Sequence, residues 1–289
     1  TGIDFYVVEA DEYDRSFLQL FPTHAAITTM DADHMEIYDS LEGIEQGFTA
    51  FAKQVKHTLL VSYGLPLSNL TYGFEANASY SIPSFKPHNE GYLFDVVTPE
   101  GEEKALYFNQ IGKHNLVNAL CAISLAHLEG VSFESIRKGL ASFPGIERRM
   151  NQYHLDDLLL IDDYAHHPVE LKAVLKTIKS TYPKRKNGIV FQPHLFSRTR
   201  DFMCDFASVL SEFDEVILLD IYPARELPIE GVTSDNLLNL ITNPNKKKVQ
   251  KVDLLSAIEE SKADLLVMAG AGDIGLEVQK ILMQLNPTT

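Results

Sequence analysis

Along the 289 residues, apolar positions fall into two rhythms that trade places several times. Short uninterrupted apolar runs, the mark of strands buried on both faces, stand at 5–8, 25–29 and 59–62. Between the last two the spacing turns helical over 40–56. From about residue 70 to 107 the texture changes to short alternating pieces such as Tyr92-Leu93-Phe94-Asp95-Val96-Val97, broken by Gly, Pro, Asn and Ser. That pattern predicts a small antiparallel sheet. Helical spacing returns over 113–129 and 133–141, the second introduced by Ser132 as an N-cap.

Phe143-Pro144-Gly145-Ile146 interrupts the pattern, and a new alternation follows. Apolar runs at 158–162, 188–192, 215–220 and 265–269 alternate with helical spacing at 168–181, 199–211, 234–241 and 273–285. Strands alternating with helices imply βαβ units around a mainly parallel sheet. The expectation is an α/β chain of two domains, residues 1–146 and 147–289, with 243–251 a basic, solvated connection. Because an apolar run stands at its very start, the chain reads as a piece excised from a longer protein.

Composition removes some functions. With 40 acidic against 25 basic residues the formal charge is −15, which opposes nucleic acid or an anionic membrane surface as the main partner. A small phosphorylated ligand remains compatible, since a few aimed donors outweigh the global field. Cys121 and Cys204 lie far apart inside helical patterns, so two buried, reduced thiols are expected rather than a disulfide. No apolar run approaches the roughly 20 residues that span a bilayer, and no leader pattern is visible. The cytoplasm is the expected compartment, and the oligomeric state stays open.

Five segments carry candidate chemistry, four of them at the carboxyl ends of expected strands, where open α/β sheets gather ligands. Glu9-Ala10-Asp11-Glu12 and Asp31-Ala32-Asp33-His34 combine carboxylates with imidazole, which suits magnesium or a similar ion, though acidic residues after strands also cap helices. Asn115 and Asn118, three apart at a helix start, share a face, and their amides suit a nucleobase edge or a cap. Asp162-Asp163-Tyr164-Ala165-His166-His167-Pro168 and Gln192-Pro193-His194-Leu195-Phe196-Ser197-Arg198-Thr199-Arg200 supply polar groups on one edge, with Arg198 able to fork onto a carboxylate. Gly270-Ala271-Gly272-Asp273-Ile274-Gly275 imitates a dinucleotide fingerprint, but too little chain follows for the second strand and its acidic residue. A turn that receives an anion is the better expectation there.

Taken in order, these segments together with Arg148-Arg149 and Gly112-Lys113-His114-Asn115 resemble the Mur ligases over nearly the whole chain. The resemblance implies the later part of a central ATPase-like domain followed by a Rossmann-like C-terminal α/β domain. It implies an ATP-dependent ligase acting in peptidoglycan synthesis, and within the family the branch that joins L-alanine to UDP-N-acetylmuramate through an acyl phosphate. ATP and Mg2+ are the implied cofactors. Glu9 and His34 are implied as metal ligands, and His114, Asn115 and Asn118 as adenine contacts. Arg149 and Asp163 would meet the nucleotide when the domains close, while Tyr164, His166, His194 and Arg198 would hold the alanine. Of these, His34 and Arg198 carry the implied catalytic role.

Two departures matter. The family commonly places a second arginine after Gln-Pro-His, where this chain has Leu195, so carboxylate binding rests on Arg198 alone or on a further donor. No G-x-x-x-x-G-K-[ST] phosphate loop occurs in these 289 residues either, so a piece inactive by itself is expected. A ligase that attaches a tripeptide to the same sugar nucleotide, and a non-catalytic binding protein descended from a ligase, remain alternatives.

Overall fold

The computed structural model describes residues 5–30, 38, 40–67 and 69–285, and the chain divides into two compact units between Phe143 and Pro144. In the first unit, strands β1 (His24–Ile27) and β2 (Thr58–Ser62) pair in parallel, joined through helix α1 (Leu41–Gln54). The α1 start is written locally. Ser40 accepts from the Gly43 amide at 3.1 Å, and Ile44, Gly47 and Phe51 fall on the buried face.

Strands β3 (Leu70–Gly73) and β4 (Tyr80–Ser81) extend the same sheet in parallel. Strands β5 (Phe85–His88), β6 (Gly91–Thr98) and β7 (Gly101–Phe108) then complete it in antiparallel fashion. The small antiparallel sheet expected over 70–107 is one end of a mixed seven-stranded sheet, antiparallel over β5, β6 and β7 while β3 and β4 run parallel to β2. Alternation reports that one face is covered, and says nothing about which neighbour completes the ladder. Helices α2 (Lys113–Leu128) and α3 (Phe133–Ala141) follow, and Leu116 and Leu120 of α2 pack fully buried in the main cluster with Leu60, Val96 and Leu106.

The strand expected at 5–8 does not form. Tyr6 is 94% and Val7 98% exposed, and no ladder of the described sheet includes them. An apolar run becomes a buried strand only where an edge pairs with it and layers cover both faces.

The second unit carries a six-stranded sheet in the order β12-β11-β10-β13-β9-β8. Strands β9 (Leu158–Asp163), β10 (Asn187–Phe191), β11 (Glu215–Leu218), β12 (Lys246–Lys248) and β13 (Leu265–Ala269) are parallel, and β8 (Asn151–Leu155) pairs antiparallel with β9. The central strands β10 and β13 are buried at every position, as sheets covered by helices require. Helix α4 (Pro168–Thr181) runs from β9 to β10, and the interval 199–211 holds two helices, α5 (Phe196–Asp201) and α6 (Met203–Leu210), broken at Phe202. Helices α7 (Ser234–Leu240), α8 (Leu254–Glu259) and α9 (Ile274–Leu285) complete the layers.

Two further expectations change. The basic stretch 243–251 is not a solvated connection, because it contains the edge strand β12. Its lysines are tied down: Lys246 Nζ donates to the Leu238 and Ile241 carbonyls at the end of α7, and Lys248 Nζ reaches Asp235 at 2.5 Å. Both cysteines are free thiols, but only Cys121 is buried. Cys204 is exposed on the outer side of α6. No helix among the described residues is long and apolar enough to cross a membrane.

Candidate functional site

In the second unit, β13 inserts between β9 and β10, so the chain doubles back around it. Asp163, Ala269 and Phe191 stand in register at the carboxyl ends of these three neighbours. Everything the sequence placed at 162–168, 192–198 and 270–273 therefore meets on one edge.

Asp162 and Asp163 end β9 and are buried, 2% and 4% exposed. Asp163 Oδ2 accepts from the Met150 amide at 2.9 Å and Oδ1 from the Ala165 amide at 2.8 Å. Burial pushes its carboxyl up to about 6, against the pull of those two amides and of Arg149. Asp162 is also raised to about 6 by burial, although Arg148 opposes this. Burial wins because the guanidinium is engaged elsewhere. Arg148 Nη1 donates to the Gly272 carbonyl at 3.2 Å and Nη2 to that of Gly270, leaving Nε 3.6 Å from Asp162, beyond hydrogen-bond reach.

Arg148 and Met150 both adopt left-handed backbone, with φ of 58° and 56°, a conformation that side chains disfavour. The Asp163 bond to Met150 and a 2.6 Å bond from the Tyr164 amide to the Arg148 carbonyl hold it. Between the two lies Arg149, exposed, its guanidinium 5.7 Å from the centre of the Tyr164 ring.

The next turn is a capping box. Glu170 Oε2 accepts from the amides of His166 and His167, while the His167 ring accepts from Val169 and Pro168 occupies the first helical position. His166 Nδ1 lies 2.9 Å from the Tyr164 carbonyl, which makes Nδ1 the donor and leaves Nε2 the acceptor of the neutral ring. Burial lowers the pKa of this ring and keeps it neutral.

At the end of β10, Gln192 spans to the glycine turn, its amide nitrogen on Asp273 Oδ1 at 2.8 Å and its oxygen accepting from the Ile274 amide at 3.0 Å. Lys251 Nζ contacts both Asp273 oxygens at 2.5 and 2.6 Å. The glycines are there for close approach: a Cβ on Gly272 would lie 2.5 Å from Gln192 Oε1 and 2.6 Å from the Tyr222 ring. The expected anion seat is thus filled by protein groups, with Gln192 on the first free amide of α9 and Arg148 on the turn's carbonyls.

Beyond Gln192, His194 stacks on Tyr222 with ring centres 5.7 Å apart and planes 14° apart, and meets His166 edge-on at 5.9 Å. Burial first, then His166 and Arg198, lower its pKa to about 4, so at neutral pH it is uncharged. Leu195 takes φ 70°, a second strained position, fixed by a bond from its amide to the Tyr222 carbonyl and by Thr199 returning to its own carbonyl. Ser197 gives both its amide and its hydroxyl to Glu226, at 2.9 and 2.5 Å.

Residues 1–126 match the Mur ligase middle domain, and 148–276 match the glutamate ligase domain of the Mur ligases. The chain belongs to the Mur ligase family. It is 50% identical over 283 residues to UDP-N-acetylmuramate–L-alanine ligase of Christiangramia forsetii, covering 97% of this chain and 63% of that protein. It is equally 50% identical over 289 residues to the enzyme of that name from Flavobacterium johnsoniae, covering 99% of this chain and 64% of that protein. The solved UDP-N-acetylmuramate-alanine ligase MurC of Thermotoga maritima shares the fold with a TM-score of 0.80 at 22% identity, covering 97% of this chain and 63% of its own. This Mur ligase chain therefore spans just under two thirds of the length of such relatives.

The residues nominated in the first unit of this Mur ligase are arranged differently. Glu9 is exposed, and His34 lies outside the described residues. Asn115 is half-buried with its amide nitrogen 2.8 Å from the Ile111 carbonyl, whereas His114 and Asn118 are exposed on the first turns of α2. Gly112 opens that helix at φ 99°, where a Cβ would lie 2.8 Å from the His114 ring. After Glu9 the chain tightens: Asp11 accepts from Tyr13, Glu12 accepts from the Tyr38 hydroxyl at 2.7 Å, and a cavity of about 190 Å³ opens between Ala10, Glu12, Thr28, Thr29 and Tyr38. Among the described residues no three His, Cys, Asp or Glu side chains converge as a metal site.

Sequence reasoning missed Tyr222, Glu226 and Lys251, and gave Arg148 no role. The first two follow β11, on the same edge as Asp163 and Gln192, so the rule that nominated those residues applies to this strand too. Only a contact map signals Lys251, since it follows the strand read as a connection.

Proposed function

We propose that this chain is the nucleotide-handling and amino-acid-binding part of a UDP-N-acetylmuramate:L-alanine ligase of the cytoplasm. The observation that carries the reading is half identity to enzymes of that name over essentially the whole chain. The edge of the second sheet supports it, since neutral imidazoles, an unpaired arginine and a buried carboxylate meet there without a cofactor-binding glycine loop. A MurF ligase of the same fold is solved with ADP, at a TM-score of 0.70, which supports ATP as the energy source.

In the reaction we propose, the carboxylate oxygen of UDP-N-acetylmuramate attacks the γ-phosphorus of ATP, and ADP leaves. The alanine amine then attacks the acyl carbon, loses a proton, and expels phosphate. Oxide is no leaving group and phosphate is. Orientation is what this chain's residues supply: Arg198 on the amino-acid carboxylate, with Tyr164, His166 and His194 as neutral walls that leave the amine uncompensated by a carboxylate. Asp163 holds the Arg149 segment, and Arg149, Asn115, Asn118 and His114 are the proposed nucleotide contacts. Magnesium would neutralise clustered phosphate charge, with Glu9 and His34 as its proposed ligands. The described residues do not assemble that site.

The test is amide-bond formation by the full-length ligase containing this chain, followed as phosphate release. Release dependent on both UDP-N-acetylmuramate and L-alanine is expected, and none from the 289 residues alone. Release with a tripeptide but not alanine would assign the recycling reaction instead, and ATP-independent binding without turnover would leave a binding protein.

A further inference from the structure

The segment after β11 wraps back over the 192–198 motif and is fastened to it at both ends. The Tyr222 amide donates to the Pro193 carbonyl at 2.8 Å, the Leu195 amide donates to the Tyr222 carbonyl at 2.9 Å, and the Tyr222 ring covers His194. Four residues on, the Glu226 carboxylate takes the amide and hydroxyl of Ser197. The turn between these anchors is closed by a 2.8 Å bond from the Glu226 amide to the Pro223 carbonyl, with Ala224 left-handed at φ 49°. Left-handed backbone is disfavoured in a non-glycine residue, and the motif fastened to this turn contains a second positive-φ residue, Leu195. Strain on both sides of one candidate pocket marks a shape held for a purpose.

What the turn holds out is Arg225. It is exposed and adjacent to Glu226, whose carboxylate sits on Ser197, the neighbour of Arg198. Arg198 and Arg225 both act electrostatically on the His194 ring, against Glu226, which the strap fastens to Ser197. Among the described residues neither arginine is ion-paired, whereas Arg200, two residues from Arg198, is neutralised by Asp201 at 2.7 Å. In a chain of net charge −15, two unpaired guanidiniums bearing on one neutral imidazole form a local anion seat. Glu226 stays ionised on Ser197 and acts on the same ring with opposite sign, so the two guanidiniums and this one carboxylate leave a single net positive charge there.

We infer that Arg225 is a binding residue for the carboxylate of the incoming amino acid, forming with Arg198 a two-cation clamp that the Tyr222–Glu226 strap holds over His194. Two guanidiniums on one carboxylate fix its plane as well as its position, and so aim the amine. Leu195, apolar and backbone-bound, offers no charge there, and the strap supplies it from the other side. The inference rests on the reading of 192–198 as the acceptor pocket.

The test is steady-state kinetics of the full-length ligase with L-alanine and with L-alaninamide, which lacks the charge. Arg225→Ala is expected to raise KM for alanine about tenfold or more, an amount set by loss of one charge-assisted contact. The KM values for ATP and the sugar nucleotide should stay within twofold. Preference for alanine over alaninamide should shrink by the same factor, and Arg225→Lys should recover much of it. An unchanged alanine KM, or an equal loss with both acceptors, overturns the clamp. Arg225 is exposed, so a cooperative melt at the parental temperature will confirm that the variant is folded. A wild-type enzyme that ignores alanine refutes the proposed function instead; the Arg225 comparison is then made on the acceptor it does use, and the same shift there upholds the clamp.

Discussion

The carboxyl edge of the second sheet and the opening turns of α2 are both nominated as ligand sites, and they are built in opposite ways. On the sheet edge three buried or half-buried side chains are fixed by hydrogen bonds, Asp163 by two amides, Gln192 by Asp273 and Ile274, Glu226 by Ser197, around arginines left unpaired among the described residues. On α2, His114 and Asn118 lie exposed on a regular helix, and Asn115 is tied to its own N-terminal turn. The contrast teaches where preorganisation is spent. An amino acid is small and offers few handles, so its pocket must be rigid before it arrives. A nucleotide is large enough to be gripped at several points by side chains that stand ready on a helix.

The largest break in this contrast should come from Asp163→Ala, which leaves the Met150 and Ala165 amides buried without an acceptor. Two such losses cost about 3 kcal/mol in total, read as a lower urea midpoint, and Asp163→Asn should recover part by accepting one of them. A loss under about 0.5 kcal/mol would mean that water replaces the carboxylate.

Glu226→Ala comes next. It strips both Ser197 bonds from a partly buried cap and should cost about 1–2 kcal/mol in the same assay. Because it also frees the strap, the alanine KM of the full-length ligase should rise while that for ATP holds. A rise in both would make Glu226 a general stabiliser only.

A pH effect of moderate size separates Asp162 from His194. The Asp162 carboxyl is raised to about 6, so its protonated form is favoured on folding, and stability present below pH 4 is lost as pH climbs through 6. His194, lowered to about 4, works in reverse: its contribution is present above about 6.5 and is lost as pH falls through 4. Asp162→Asn should therefore gain on the parent between pH 4.5 and 6.5, and His194→Gln should gain on it as pH falls through the same window. Unfolding curves of each variant that run parallel to the parent's would remove that residue from the account.

Smallest of all, His114→Ala and Asn118→Ala should shift stability by less than about 0.5 kcal/mol, as exposed substitutions do. Their proposed weight is on nucleotide binding, and calorimetry with ATP on the full-length ligase measures it. A stability loss above 1 kcal/mol would undo the contrast.

Much of this was legible in the residues, and for uneven reasons. Helix 168–181 and strand 265–269 were read to the residue, because a strand buried on both faces is an unbroken apolar run and Pro168 marks the start of its helix. The convergence of 162–168 with 192–198 followed from the rule about strand ends. The three-residue strand of lysines was invisible, since its apolar surface is the stems of charged side chains. The break at Phe202 was equally hidden, because both halves keep helical spacing. Segment 5–8 misled for the converse reason: its composition is right for a core, but burial belongs to neighbours and not to the run itself. No local pattern announces Arg225, whose place is set by the fastening of two distant segments.

That lysine strand also bears on how the protein behaves in concentrated solution. A sheet edge is a row of unsatisfied amides and carbonyls, an invitation to a stray strand and the first step toward aggregates. Here the edge is only three residues long and every one is cationic, while Lys246 and Lys248 are held to α7 so that their charge stays beside the backbone. A second copy approaching edge to edge must pass long charged side chains already fixed by Glu260, Asp220 and Asp235. Replacing Lys247 with valine should leave the fold intact and yet turn a well-behaved edge into a sticky one, visible as light scattering that grows with concentration.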